Sequence, residues 1–336
     1  MINELDEYLK DVQAADLASL ETSITSNVLD PLENPISFNI KLRKNPAFGT
    51  KSRIDLERET RRVELTAELK PRALMNDCMF CDPKKCANFA PETGLEKQYI
   101  QNKAITFSNW YASGIIHGII VYNYTTHITN PIDLSHEEWV DGLSLVRKIG
   151  KLTKKKYVSL HNNYGLKAAA SLEHFHGQYH CEDEPLAMTK RTMKNADKGY
   201  WKSWVKALNN MNLVLDFDQK TKTVFFVEWS PAFGKVELVI MNLENPSFVN
   251  LSDDEIDAVA KYMHRSVRII REISDQFNVL NFSAALDDNY CNHFRIIPRA
   301  PMTISLKAWQ GYLEFMGETV PHIDPNKLAD AARDMS

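Results

Sequence analysis

The chain has 336 residues, a formal net charge of −4 and a pI near 6.2. That length suits two domains of ordinary size whose cores need no covalent staples. The mild acidity excludes a broad cationic face for nucleic acid or for an anionic membrane, so a small-molecule ligand is expected.

The first residues, Met1-Ile-Asn-Glu-Leu-Asp-Glu-Tyr8, are acidic and lack the apolar core of a signal peptide. No apolar run elsewhere reaches bilayer-spanning length, and a cytoplasmic protein is the expectation. Three of the five cysteines, Cys78, Cys81 and Cys86, crowd together, which reads as metal or thiol chemistry rather than a disulfide framework. Cys78-Met-Phe-Cys81 has the spacing by which two thiolates chelate one tetrahedral ion, and a zinc site then needs two further ligands from elsewhere.

The β-branched run Ile115 to Tyr122 predicts a strand, and His127 follows it. Ser135 and Glu138 form a capping box for a helix whose buried stripe is Trp139, Leu143, Val146 and Ile149. The basic run Lys151 to Lys156 falls at that helix's end, where cations complement the dipole and stay solvated. Tyr157 to Leu160 is strand-like. Asn162 to Ser171 then sets small residues, an amide and a hydroxyl where the backbone must approach something closely, either a phosphate or simply a packed helix.

Ser171-Leu-Glu-His-Phe-His-Gly-Gln178 is the most informative stretch. As a strand it would place His174, His176, Gln178 and His180 on one face. His127 and His174 can complete a Cys2His2 set with Cys78 and Cys81, although any lone histidine can equally be a satisfied or surface imidazole. His176 projects beside His174 yet cannot comfortably join the same four-coordinate ion. An imidazole left free on a rigid strand is largely neutral near pH 7 and can attack phosphorus, which makes His176 the candidate nucleophile.

The polar stretch Glu182 to Lys198 predicts a boundary near residue 190, dividing the chain into 1–190 and 191–336. Beyond it the grammar repeats. A strand at Val236 to Met241 precedes a second capping box, Ser252 and Glu255, and a stripe of Ile256, Val259, Met263, Val267 and Ile270. Strand-like segments follow at Phe282 to Leu286 and His293 to Pro298. The predicted fold class is α+β, two domains that each pack an antiparallel sheet against a long helix.

Taken together, these segments resemble the galactose-1-phosphate uridylyltransferase family, within the histidine-triad superfamily of nucleotidyl transferases and hydrolases. The family pattern of Asn, Gly, a small-residue run with Ser, then His-x-His-x-Gln matches Asn163, Gly165, Ala168 to Ser171, His174, His176 and Gln178 without a gap. The resemblance is close over roughly residues 43 to 180 and loose beyond. It implies two histidine-triad-like domains, a largely structural zinc on Cys78, Cys81, His127 and His174, and His176 as covalent nucleophile. It further implies that Gln178, standing where the hydrolase branch has a third histidine, holds a nucleotidylated intermediate. Asn163, Gly165 and Ser171 would cradle phosphate. Thr106-Phe-Ser-Asn109 resembles the nucleoside-binding segment and brings in Asn109, Trp110 and Tyr111.

The expected partners are a nucleoside diphosphate sugar and a sugar 1-phosphate, with no nucleic acid or membrane, in a homodimer. The expected reaction is uridylyl exchange between UDP-glucose and a hexose 1-phosphate. The alternatives are a nucleotide-sugar or dinucleoside polyphosphate phosphorylase, and a non-catalytic zinc-stabilised nucleotide-binding protein. In the second domain Cys291 and His293 stand where relatives often have His-x-His, so a degenerate motif is expected there, and Trp309 to Glu314 departs from the family's sugar-recognition pattern.

Overall fold

A computed structural model of the chain describes residues 2–29, 35–54, 78–109, 116–165, 168, 170, 172–196, 198–234, 236–286, 289–299, 318–319 and 324–335. Ten of its strands form one antiparallel sheet. In chain order they are β4 (Tyr99–Gln101), β5 (Ala104–Ser108), β6 (Ile116–Val121), β7 (Tyr157–Tyr164), β8 (His176–Glu182), β9 (Val214–Asp218), β10 (Thr223–Val227), β11 (Leu238–Asn242), β12 (Phe277–Phe282) and β13 (His293–Pro298). Across the sheet the order is β4-β5-β6-β8-β7-β12-β13-β11-β10-β9.

That order is a palindrome of two five-stranded halves meeting at β7 and β12. Each half has three strands in sequence, a long helix, and two more strands. The repeat seen in the sequence is thus an architectural one, and the α+β class with antiparallel sheets packed by helices is what the chain adopts. What the sequence left unseen is the seam, where Asn278 pairs with Asn163 and Leu280 with His161 to fuse the two sheets into one.

The helices form for the reasons their sequences suggest. In α2 (His136–Thr153) and α5 (Asp253–Ile273) both capping boxes are complete, with Ser135 and Glu138 in one and Ser252 and Glu255 in the other. The predicted stripes are buried, and the two helices pack on each other across one face of the sheet. Each cap is also tied to its sheet. Asn123 Nδ2, just past β6, donates to Glu138 Oε1 at 2.6 Å, and Asn242 Nδ2, at the end of β11, donates to Glu255 Oε1 at 2.8 Å. The same pair of residues locks strand to helix in both halves.

On the opposite face the halves differ. On the second half α1 (Ile2–Tyr8) and α4 (Tyr200–Asn210) pack on β9, and the early strands β1 (Glu21–Leu29), β2 (Pro35–Asn45) and β3 (Thr50–Ile54) are tied to that half by Arg43, Asn45 and Ser52. These strands and a short β14 (Glu318–Thr319) make the smaller sheet. Arg43 Nη1 donates to the Trp229 carbonyl and Asn45 Nδ2 to that of Ser230, while Phe48 packs edge-on to Phe282 and His293.

One local expectation is corrected. The strand expected over Phe282 to Leu286 lies earlier, at Phe277–Phe282, because its polar residues Asn278 and Asn281 are paired inside the sheet. The polar stretch after β8 carries a helix, α3 (Ala187–Asn195), whose Thr192 shares a 2.6 Å hydrogen bond with Tyr290. Among the described residues no helix is long and apolar enough to cross a membrane.

Candidate active site and metal cluster

The loop after β6 is shaped by one amide. Asn123 Oδ1 accepts from the backbone N–H groups of Thr125 and Thr126, both at 3.0 Å, an Asx turn that sets His127 at its end. The Phe175 N–H donates to the Ile128 carbonyl at 2.7 Å, bringing the bend with His174 alongside. His174 Nε2 lies 3.0 Å from the Asn123 carbonyl oxygen. A carbonyl can only accept, so Nε2 carries the hydrogen and Nδ1 is left as the ligand atom.

That Nδ1 lies 3.4 Å from both Cys78 Sγ and Cys81 Sγ, and His127 Nδ1 lies 3.5 Å from Cys81 Sγ. The four donor atoms all fall within 4.8 Å of one another, the arrangement that can hold a metal ion. A tetrahedral ion with ordinary zinc–sulfur and zinc–nitrogen bonds would separate its S and N ligands by about 3.6 Å. The geometry and the S2N2 donor set therefore fit zinc. The backbone carbonyl on His174 is the outer-shell partner that such sites use to fix an imidazole. Burial, and then Cys78 beside it, pushes the Cys81 thiol up to about 11, as expected for two sulfurs gathered for a cation. The five cysteines form no disulfide, and Cys86 stands outside the cluster, buried against the Met79 carbonyl.

His176 opens β8, whereas His174 precedes the strand, so the idea of one strand face carrying both imidazoles is corrected. The interruption lets the His174 ring turn to the thiols. His176 Nδ1 lies 2.8 Å from the His174 carbonyl oxygen, which fixes the Nδ1–H tautomer and leaves Nε2 with the lone pair. Burial lowers its pKa and keeps the ring neutral. The ring of Phe80, which sits between the two cysteines, packs edge-on to His176 at 4.8 Å, so the cysteine turn and the candidate nucleophile touch.

Farther along β8, Gln178 Oε1 lies 2.9 Å from His117 Nε2 and accepts from Asn109 Nδ2 at 3.1 Å. Asn109 and Gln178, far apart in the sequence, thus meet. His117 was missed, and so was His161. The signal lies in cross-strand register, which pairs His117 with His180 and His161 with Gln178. The rings stack in a row, His117 on His180 at 4.1 Å and His161 on His180 at 5.7 Å. Burial lowers the pKa of His117 and holds those of His161 and His180 at about 4, so the row is neutral.

Asn163 lies on β7 and accepts at Oδ1 from Asn278. Gly165 has a φ of +87°, and a Cβ there would meet the Gln276 side chain at 2.4 Å, so both backbone and space demand glycine. Its carbonyl accepts from the N–H groups of Ala168 and Ala170, folding the small-residue run back on itself. Trp110, Tyr111, Ser171 and Trp309 to Glu314 lie outside the described residues.

No protein-family model matches the sequence, and no curated protein matches it. Solved structures do. An ADP-glucose phosphorylase from Arabidopsis thaliana with bound ADP-glucose is similar over 88% of this chain and 99% of its own, with a TM-score of 0.67 and 16% identity. A GalT-like protein from the same plant covers 88% of this chain and 99% of its own at a TM-score of 0.64 and 15% identity. A uridylyltransferase covers 88% and 98% at a TM-score of 0.59 and 16% identity. This chain has their fold. At such identity the likeness concerns architecture.

Proposed function

We propose that the chain is a nucleotidyltransferase that works by double displacement through a nucleotidyl-histidine on His176. The observation that carries this reading is the bond from His176 Nδ1–H to the His174 carbonyl, which leaves a neutral Nε2 lone pair on a rigid strand. In the first step Nε2 attacks the α-phosphorus of a nucleoside diphosphate sugar. A P–N bond forms, the P–O bond to the β-phosphate breaks, and the sugar 1-phosphate leaves with the electron pair. In the second step an acceptor phosphate oxygen attacks the same phosphorus and the nitrogen recovers its lone pair.

Donors from Gln178, Asn163 and nearby backbone would meet the charge that develops on the phosphoryl oxygens, in a site already partly shielded from water. Asn109, bonded to Gln178, would contact the nucleoside. Cys78, Cys81, His127 and His174 would hold zinc, which would fasten the cysteine turn to the strand bearing His176.

The donor proposed is UDP-glucose and the acceptor a hexose 1-phosphate. A second reading, with inorganic phosphate as acceptor, draws support from the likeness to the phosphorylase with bound ADP-glucose. Incubation with α-32P-labelled UDP-glucose and ADP-glucose, without acceptor, should give an acid-labile adduct that His176→Gln lacks while still binding UDP. Its discharge by glucose 1-phosphate or by inorganic phosphate then separates the two acceptors. A protein that binds nucleotide but never acquires label would instead be the non-catalytic binder.

A further inference from the structure

The seam between the halves carries a line of hydrogen bonds that the proposed mechanism leaves unused. Arg299, one residue past β13, donates from Nε to Asn278 Oδ1. Asn278 Nδ2 donates in turn to Asn163 Oδ1 at 2.6 Å and to the Ala168 carbonyl at 3.0 Å. Asn163 and Asn278 are direct partners in the β7–β12 register. Alternation along β7 puts Asn163 on the same face as His161, which is paired with Gln178. The line therefore runs from the second half into the side of the sheet that holds the candidate site.

A side-chain amide can be turned end for end with almost no change of shape, so its polarity is set by its partners. Here both ends of Asn278 are set. A guanidinium only donates and a backbone carbonyl only accepts, so the Asn278 oxygen must face Arg299 and its amine must face Ala168 and Asn163. Asn163 is then obliged to accept through Oδ1, and its Nδ2 amine becomes the group able to donate to a bound oxygen. The opposite polarity would set a carbonyl oxygen against phosphate.

We infer that Arg299 is a positioning residue that fixes, through Asn278, the donor polarity of Asn163 toward a nucleotide's phosphate oxygens. The inference rests on the nucleotidyl-transfer reading for its ligand. It gives the second half a part in the first half's site. The Arg299 backbone is held separately, its N–H donating to the Gln276 carbonyl at 2.8 Å, so the side chain can be changed without freeing the strand end.

The test is the affinity of the full chain for UDP and for ADP, by titration calorimetry. Arg299→Met should weaken binding about tenfold, the loss of one well-placed hydrogen bond to phosphate. Arg299→Lys, which keeps a donor, should lose less, and millimolar guanidinium should restore Arg299→Met. In an Asn163→Ala background Arg299→Met should change affinity less than about twofold, since the relay has lost its end. Unchanged affinity in Arg299→Met, or a full-sized effect in the Asn163→Ala background, overturns the inference. Should Arg299→Met fail to fold, Asn278→Leu takes its place in the same cycle under the same criteria. Wild-type protein that binds nucleotide, loses affinity on Arg299→Met and never forms a histidine adduct sinks the covalent reading alone. Normal adduct with unchanged affinity in Arg299→Met sinks the relay alone, and no binding of either nucleotide sinks both.

Discussion

His176 Nδ1 is held 2.8 Å from the carbonyl oxygen of His174. The same clamp recurs at the start of β13, where His293 Nδ1 lies 2.9 Å from the carbonyl of Cys291. The surroundings separate the two. His293 is fully buried, stacked on Phe282 at 5.0 Å and packed against Trp201 at 4.9 Å, and among the described residues its Nε2 has no hydrogen-bond partner. It is an imidazole turned into core. His293→Phe should therefore shift stability by only about 1 kcal/mol, since the lost Nδ1 bond is offset by removal of an unpaired buried nitrogen. Adduct on His176 should stay within about twofold of wild type. A loss of labelling as complete as that of His176→Gln would show that the second clamp is chemical too.

Cys81 Sγ lies within 3.5 Å of Nδ1 of both His127 and His174, and Cys78 Sγ lies 3.4 Å from Nδ1 of His174. Cys81→Ser should accordingly bind zinc at least tenfold more weakly than wild type and unfold at a lower temperature, because ligand binding is coupled to folding. Metal content by elemental analysis and melting by calorimetry check both. Full zinc occupancy in Cys81→Ser would mean that the four groups do not form the site.

Features set by neighbours along the chain were legible. Ser135 with Glu138, and Ser252 with Glu255, name their helices because a capping box is written within four residues. The Cys2His2 set could be assembled because its chemistry narrows the choice of partners. What strand pairing decides was hidden. No local pattern says that His117 will face His180 or that β7 will pair with β12, since register is a long-range property. Asn278 and Asn281 made β12 look too polar for a strand, yet the side-chain Nδ2 of each donates to a neighbouring amide oxygen, that of Asn163 and that of Asn292.

Glu138 does more than cap. Its Oε2 accepts from the Ser135 N–H at 2.9 Å, while Oε1 accepts from Asn123 and from Lys103. Glu138→Ala removes the cap and strands the Asn123 amide that shapes the His127 loop, at a cost of about 2 kcal/mol. Glu255→Ala breaks the matching lock with Asn242 at similar cost, but far from the cluster. Chemical denaturation should find both destabilised, with zinc affinity reduced in Glu138→Ala only. Equal zinc affinity in the two variants would refute the claim that this lock positions the metal loop.

Arg295, on β13, is fully buried and bonds Glu237 at 2.5 Å and Glu228 at 3.0 Å, with its guanidinium over the Phe48 ring at 4.2 Å. Burial raises the Glu228 pKa even beside this cation. Arg295→Met would leave two carboxylates without it, and breaking a buried pair in this way costs about 3–5 kcal/mol. Glu228, whose pKa burial already raises, can recover part of that by taking up a proton. The penalty should therefore be smaller near pH 5 than near pH 8, as urea midpoints at the two pH values would show.

Acid should act on the row of neutral histidines. Burial, followed by the nearby His180 and His117, holds His161 at about 4, well below the value near 6.5 of an unfolded histidine. Between these values the unfolded chain binds a proton that the folded chain refuses. Stability therefore rises with pH across that window, is complete above about pH 6.5, and is lost progressively as pH falls toward 4. For His161 the loss is at most about 3 kcal/mol. His180 is also held at about 4, but being more exposed it should contribute less. Urea midpoints of wild type should drop between about pH 7 and about pH 5, and His161→Gln should flatten that decline. Parallel declines in the two proteins would mean that the proton is taken up elsewhere.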